Sequence, residues 1–473
     1  MRFPNTIVQA SAGSGKTYAL TNRYLQLIAS GVPCDTILAT TFTRKAAGEI
    51  LDRIMQRLTA AAADPLKCAE LAEVIDFPLQ PQKAKDLLRQ MAENLHRLQV
   101  STLDSFFFQI ARAFNFEMGL PVDWKIAETG QIGALAEIAV RKLLHDRNTR
   151  EFLHLITKND AERKIADIMI REVEKYNEVY RDSTREAWNH SSPGARNFRE
   201  LVGPLVERFE QRPLVNKRMT KPLEADLAAV ARGDWEALVK SNAVGRVIDG
   251  NFTYYNSPVD GHVIAFYQSV IEALRAFVTT VYADRTASAY RLIDSFSNEL
   301  WPMQMEAAEL KFSDVTHVLQ KLMRKKGLDL EFRLDMEVRH LLLDEFQDTS
   351  PAQWQILQPF VHRLFSTERR GSFFCVGDRK QAIYAWRGGV SEIFDVVQDQ
   401  LADRLEPTPP LSTSYRSSPV VIEAVNQVFQ NLTNTGIDRE PDREVLERWQ
   451  EAFPRHTTAR DKLPGYVRVE IAD

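Results

Sequence analysis

Two short stretches of this 473-residue chain carry residue types that can do chemistry together. Residues 10–17 read Ala-Ser-Ala-Gly-Ser-Gly-Lys-Thr. In such a loop Gly13 and Gly15 let backbone N–H groups close around phosphate oxygens, Lys16 reaches the terminal phosphates and Thr17 offers its hydroxyl to magnesium. Ala10, Ser11, Ala12 and Ser14 complete the set of candidate nucleotide-binding positions. The strict pattern has glycine where this chain has Ala10. The second stretch, residues 341–348, reads Leu-Leu-Leu-Asp-Glu-Phe-Gln-Asp. Three leucines running into two adjacent carboxylates describe a buried strand that ends at the ligand-binding edge of an α/β sheet. Asp344 is then a second magnesium ligand and Glu345 a base that orients an attacking water. Without a phosphate opposite, such a pair is better read as solvated carboxylates; the glycine-rich loop tips the reading toward function.

The elements that must position these residues follow from periodicity. Residues 6–10 form a short apolar strand, and the helix after the loop carries Leu20, Tyr24, Leu27 and Ile28 on one face before Gly31 and Pro33 close it. Strand, glycine-rich turn and helix is the context that makes the phosphate loop credible. A second strand over 36–42 leads to a helix with Ala47, Ile50, Ile54 and Leu58 on one face, and a third apolar entry covers 98–103. This is a βαβ beginning, hence a parallel sheet. Phe106, Phe107 and Phe108 read as core. From about residue 115 to 305 the pattern is helical, with one stripe through Ile165, Ile168, Met169, Val173, Tyr176 and Tyr180, and a long one from Val263 through Val270, Leu274, Phe277, Val278 and Val281. Neither proline nor glycine interrupts the chain between Gly261 and Pro302, which predicts a long helix. The prolines and glycines of 190–222 predict helix breaks, and 252–258 reads as a loop. The α/β pattern resumes at 341–348 and 373–376, and alternation over 466–471 predicts a final strand.

Composition bounds the rest. The chain is 44% hydrophobic and 26% charged with a net charge of −4, which marks a soluble globular protein without excluding a local basic groove. Its three cysteines, Cys34, Cys68 and Cys375, fit neither a zinc site nor a disulfide framework. No run of about 18 apolar residues or leader pattern is present. The expected location is the cytoplasm, with no membrane.

Three stretches together, Ala-Ser-Ala-Gly-Ser-Gly-Lys-Thr, Asp-Glu-Phe-Gln-Asp-Thr-Ser and Val-Gly-Asp-Arg-Lys-Gln-Ala-Ile-Tyr-Ala-Trp-Arg-Gly, resemble superfamily 1 DNA helicases of the UvrD/Rep type. The wording of the loop and of the third stretch is similar to the RecB/AddA helicase–nuclease branch. The resemblance covers residues 3–112 and 310–430 and is weak over the helical block. It implies ATP and magnesium as cofactors, single- and double-stranded DNA as partners, and a second helicase–nuclease subunit as a further one. By position, Thr41 and Phe42 match one single-stranded DNA contact. Thr102 and Ser105 match another, in which Asp104 stands where many relatives have histidine. Gln381 matches a γ-phosphate sensor. Tyr384, Trp386 and Arg387 match a platform on which bases stack, at about 1–3 kcal/mol per base. Tyr415 matches a residue that packs on adenine, and Arg416 one that reaches the γ-phosphate. Taken alone, Tyr384 and Trp386 also read as core aromatics and Arg416 as a surface arginine. Arg324, Lys325, Lys326, Arg369 and Arg370 read as solvated charges.

The expected architecture is a RecA-like parallel-sheet domain (1–112 and 306–405) split by an all-helical insertion (113–305), with 406–473 beginning a second RecA-like domain. The expected function is the ATP-hydrolysing motor of a 3′→5′ DNA helicase or translocase in repair or recombination. Neither the family's last two helicase motifs nor a nuclease-like carboxylate cluster falls before Asp473, so the chain reads as the N-terminal portion of a longer protein. A non-catalytic nucleotide-binding scaffold that binds DNA is the alternative, and a P-loop kinase is disfavoured by the acidic stretch and the stacking segment.

Overall fold

The computed structural model describes residues 3–145, 162–189, 197–209, 212–325, 333–334, 336–366, 371–382, 392–434 and 440–470. The chain divides into two compact units, Met1–Ile126 with Leu310–Asp473, and Ala127–Glu309.

The first unit is α/β. Its central sheet contains β1 (Thr6–Gln9), β2 (Ile37–Thr41), β3 (Gln99–Thr102), β4 (His340–Leu343) and β5 (Ser372–Gly377). The spatial order is β1-β5-β4-β2-β3, and every pairing is parallel. Parallel neighbours need crossovers, and helices supply them. The first three strands each lead into one: α1 (Lys16–Ala29), α2 (Arg44–Ala63) and α3 (Leu103–Ala113). Burial on both faces explains the apolar runs: β2, β4 and β5 are buried along their whole length. The expected helix stripes pack inward, with Leu20, Tyr24, Leu27 and Ile28 of α1 and Ile50, Ile54 and Leu58 of α2 essentially inaccessible. Phe106 and Phe107 are core as expected, whereas half-buried Phe108 lies 4.9 Å from the Trp124 ring.

Register decides what meets at the sheet edge. Gln9 pairs with Gly377, and Leu343 with Cys375. The loops leaving β1, β5 and β4 therefore emerge side by side, although β1 and β4 lie far apart in sequence. Past the strand ends, the Ala10 N–H donates to the Gly377 carbonyl at 2.8 Å and that of Asp344 to the Thr40 carbonyl at 2.8 Å. A further short parallel pair, β6 (Thr413–Ser414) and β7 (Thr457–Thr458), belongs to the same unit.

The second unit is dominated by helices. Its longest, Gly261–Ala307, runs 47 residues and passes through Pro302. Met169 and Val173 are buried as the stripe predicts; the side chains of Ile165 and Ile168 lie outside the described residues.

Three expectations are corrected. Residues Phe198–Arg208 form a helix containing Pro204, because buried Phe198 and Val202 anchor its inner face. The segment read as a loop is a hairpin, Thr253–Tyr254 against Ser257–Pro258, turned by Tyr255 and Asn256 at φ 48° and 58°. Two successive left-handed residues give the twist that such short hairpins need. Last, residues 466–470 form no strand; Tyr466 and Val469 are 86% and 88% exposed, so the alternation has no surface to bury, and Ile471 lies outside the described residues.

Gly377 ends β5 in a crowded place: a Cβ there would lie 2.4 Å from Gln347 Oε1 and 2.6 Å from Phe394 Cζ. Gly377→Ala should cost about 1–3 kcal/mol, read as a lowered denaturation midpoint with an unchanged m-value. An undiminished midpoint would show that this edge is looser than the packing indicates.

Candidate functional site

The phosphate loop is built by its own short side chains. Ser14 Oγ donates to the Ser11 carbonyl at 2.7 Å and accepts from the Ser11 N–H at 3.1 Å. Gly13 and Gly15 sit at φ 72° and 89°, conformations that cost a side-chain-bearing residue and free the loop to turn into α1. Lys16 and Thr17 are thus the first two residues of α1, at the end where the helix dipole favours anions.

Both carboxylates meet this loop. Lys16 Nζ lies 2.6 Å from Glu345 Oε2 and 3.0 Å from Gln381 Oε1. Thr17 Oγ1 donates to Asp344 Oδ2 at 3.0 Å. The predicted water base and sensor glutamine therefore both meet the predicted phosphate lysine, and the two predicted metal ligands touch. Glu345 reaches this position through a left-handed backbone, φ 52°, which costs a non-glycine residue on the order of 1–2 kcal/mol. Its N–H donates back to Asp344 Oδ1 at 3.0 Å. The reversal turns the two neighbouring carboxylates to separate partners, one to Lys16 and one to Thr17.

Sequence reasoning missed Gln347, Asp378 and Lys380. Gln347 is 1% exposed. The Asp378 N–H donates to its Oε1 at 2.9 Å, so its amide nitrogen is left to face Glu345, 2.6 Å away. Lys380 Nζ donates to Ser11 Oγ at 3.0 Å and lies 3.9 Å from Asp378 Oδ1. Their places inside the Asp-Glu-Phe-Gln-Asp and Gly-Asp-Arg-Lys-Gln stretches were the available signal.

Electrostatics follow burial. Asp344 is pushed up to about 6, first by desolvation and then by the Glu345 charge, against the Thr17 hydrogen bond and Lys16. Asp348 is also pushed up to about 6, by burial and then Glu345. A buried carboxylate that loses so much by ionising gains from a cation beside it.

The other candidates are placed as follows. Tyr415 is 58% exposed, and its N–H donates to the Gly13 carbonyl at 2.9 Å. Arg416 is exposed, yet a Cβ on Gly13 would lie 2.8 Å from Arg416 Cβ, so both flank the loop. Thr41 and Thr102 are register partners at the ends of β2 and β3. Thr41 Oγ1 is buried with no hydrogen-bond partner. Thr102 caps α3 by accepting from the Ser105 N–H at 3.1 Å, with the two hydroxyls 2.7 Å apart, so their polar atoms are already engaged. Phe42 is half-buried. Tyr384, Trp386, Arg387, Lys326, Arg369 and Arg370 lie outside the described residues.

The family model described as the UvrD/REP helicase N-terminal domain matches residues 4–402. The chain belongs to this family. Several curated ATP-dependent helicase/nuclease subunits are similar to this UvrD/REP family member. That of Lactobacillus helveticus is 22% identical, over 94% of this chain and 41% of its own length. That of Streptococcus mutans is also 22% identical, over 92% and 38%, and that of Geobacillus thermodenitrificans 23%, over 91% and 38%. The chain spans about two fifths of the length of these relatives. Among the described residues of this UvrD/REP family member, no helix is long and apolar enough to cross a membrane.

The charge placement has a pH signature. The folded-state value of Asp344 lies above the ordinary 3.8, so its contribution to stability is fully present below about 3.8 and is lost as pH rises through about 6. Asp344→Asn should therefore match wild type at pH 4 and be more stable at pH 7.5, by on the order of 2 kcal/mol. Thermal melts across that range check it; a difference independent of pH would contradict the burial argument.

Proposed function

We propose that this chain is the ATP-hydrolysing motor of a DNA helicase or translocase, moving single-stranded DNA in the 3′→5′ sense during repair or recombination. The observation that carries the reading is Lys16 held by Glu345 and Gln381 while Thr17 holds Asp344. These are the parts that phosphoryl transfer needs, gathered at one sheet edge: a phosphate-facing cation, a water-orienting carboxylate, a polar sensor and two hard oxygen ligands. The names of the similar proteins point the same way. Each is called a subunit of a helicase/nuclease, which supports DNA and a second helicase–nuclease subunit as partners of this chain.

The donor set suits magnesium, which takes one or two protein oxygens together with substrate phosphates. Thr17 and Asp344 would hold it, and its chemistry there would be neutralisation of phosphate charge. Lys16 binds the terminal phosphates and, in doing so, exchanges Glu345 for the nucleotide. Glu345, released from the ammonium, is free to accept a hydrogen bond from the attacking water. Gln381 exchanges Lys16 for the γ-phosphate and so senses occupancy. Arg416, beside Gly13, supplies a second cation, and Tyr415 packs on the base. Thr41, Phe42, Thr102, Ser105, Tyr384, Trp386 and Arg387 form the DNA track. In this reading 1–112 and 306–405 are a RecA-like domain split by the helical insertion 113–305, and 406–473 begins a second one.

Lys16→Ala should abolish DNA-stimulated ATP hydrolysis. Glu345→Gln should retain ATP binding while lowering turnover by about 100-fold or more. Unchanged turnover in Glu345→Gln removes that residue from the mechanism; nucleotide binding without hydrolysis in any form of the protein would instead favour a scaffold.

A further inference from the structure

Ser11, at the start of the phosphate loop, is gripped from two sides. One partner is Lys380, next to Gln381 in sequence, at 3.0 Å. The other is His456, whose Nε2 is hydrogen-bonded to the same Ser11 hydroxyl. His456 comes from the segment just before β7 and is only 7% exposed. Its backbone is fixed independently of its ring: the His456 N–H donates to Asn426 Oδ1 at 2.9 Å and its carbonyl accepts from Asn426 Nδ2 at 2.9 Å. The ring packs 4.6 Å from that of Phe453, which stacks on Phe429 at 4.9 Å.

We infer that His456, in its neutral form, is a positioning residue that locks the phosphate loop through Ser11 and ties it to the 411–458 segment. This rests on the nucleotide-binding reading above and goes beyond it, because no motif used there contains His456.

The proton arithmetic is restrictive. Lys380 only donates, so Ser11 Oγ accepts from it and keeps its own proton free to donate to His456 Nε2. With Nε2 accepting, the buried ring nitrogen Nδ1 carries the single proton of the neutral ring, and the Pro454 backbone is the one group that pulls the ring towards a second proton. An imidazolium here would set a second cation against Lys380 and leave Nε2 unable to accept. Burial first, and Lys380 second, hold the ring below the ordinary histidine range. The charge that bears on the ring is that of Lys380, which itself lies 3.9 Å from Asp378 Oδ1.

Because the backbone N–H and carbonyl of Ser11 also hold the Ser11–Ser14 turn, releasing its hydroxyl loosens the residue on which the loop turns, and so shifts the N–H groups that would face the phosphates. Loss of this one link should weaken binding of mant-labelled ATP by about five- to tenfold. His456→Ala should show that loss, His456→Gln should recover most of it, and Ser11→Ala should equal it. The test is the double variant Ser11→Ala/His456→Ala, measured by fluorescence titration of the full chain, with thermal melts to confirm folding. Loss in the double variant no greater than in either single one supports the link, and additive loss overturns it. The second readout is pH. Wild-type affinity should fall relative to His456→Gln only as pH is taken below the ordinary histidine range, where the ring gains its proton; a ratio that stays constant down to the acid limit of folding overturns the inference. Wild type that binds no nucleotide at all would instead overturn the reading of the site as a whole.

Discussion

Everything at the site depends on where one ammonium group goes. Lys16 is 8% exposed, and a buried cation must have partners or it carries a cost of several kcal/mol. Glu345 and Gln381 supply them. Glu345 is held in turn by Gln347, and Gln347 by the Asp378 N–H. From Asp378 the contacts run on to Lys380 and back to Ser11 of the phosphate loop. The chain of partners returns to the loop that carries Lys16, so its contacts link all three sheet-edge loops.

That arrangement bears on how a motor domain could register its nucleotide. The groups that hold Lys16 are the groups assigned to hydrolysis and sensing, so phosphate binding and release of Glu345 are one exchange in that reading. Asp344 faces a related conflict. Buried beside a like charge, it ionises reluctantly, and the hydrogen bonds from Thr17 and the Glu345 N–H together with Lys16 compensate only in part. A carboxylate less stable here than in water is the usual condition of a group kept for chemistry rather than for folding. The strained backbone at Glu345 belongs to the same pattern.

The helical unit contributes none of the residues just discussed. Its fixed points are packing features: the Gly261–Ala307 helix, and Asp226 accepting from Tyr267 and Ser241 at 2.7 and 2.8 Å. A buried carboxylate satisfied by two hydroxyls is a structural device. The candidate site lies in the α/β unit.

By itself the sequence named the candidate parts of the site and the elements that carry them. The loop glycines, Lys16, Thr17, Asp344 and Glu345 were legible as candidates because a phosphate loop and a carboxylate pair restrict the residue types, and Gln381 only through the family resemblance. The inward faces of α1 and α2 were legible because one hydrophobic period governs each. The parallel character of the sheet followed from strands and helices in alternation. Tertiary structure alone decided the strand order β1-β5-β4-β2-β3, since which strands adjoin depends on pairings between residues hundreds of positions apart. It decided the left-handed turn at Glu345, which no composition rule flags in a glutamate. It also decided that the alternation over 466–470 forms no strand and that 253–258 does form a hairpin, because both outcomes depend on what lies alongside. His456 is the sharpest case. A lone histidine in a polar, turn-rich stretch carries no periodicity and no motif, and only folding brings its ring to Ser11 at the other end of the chain.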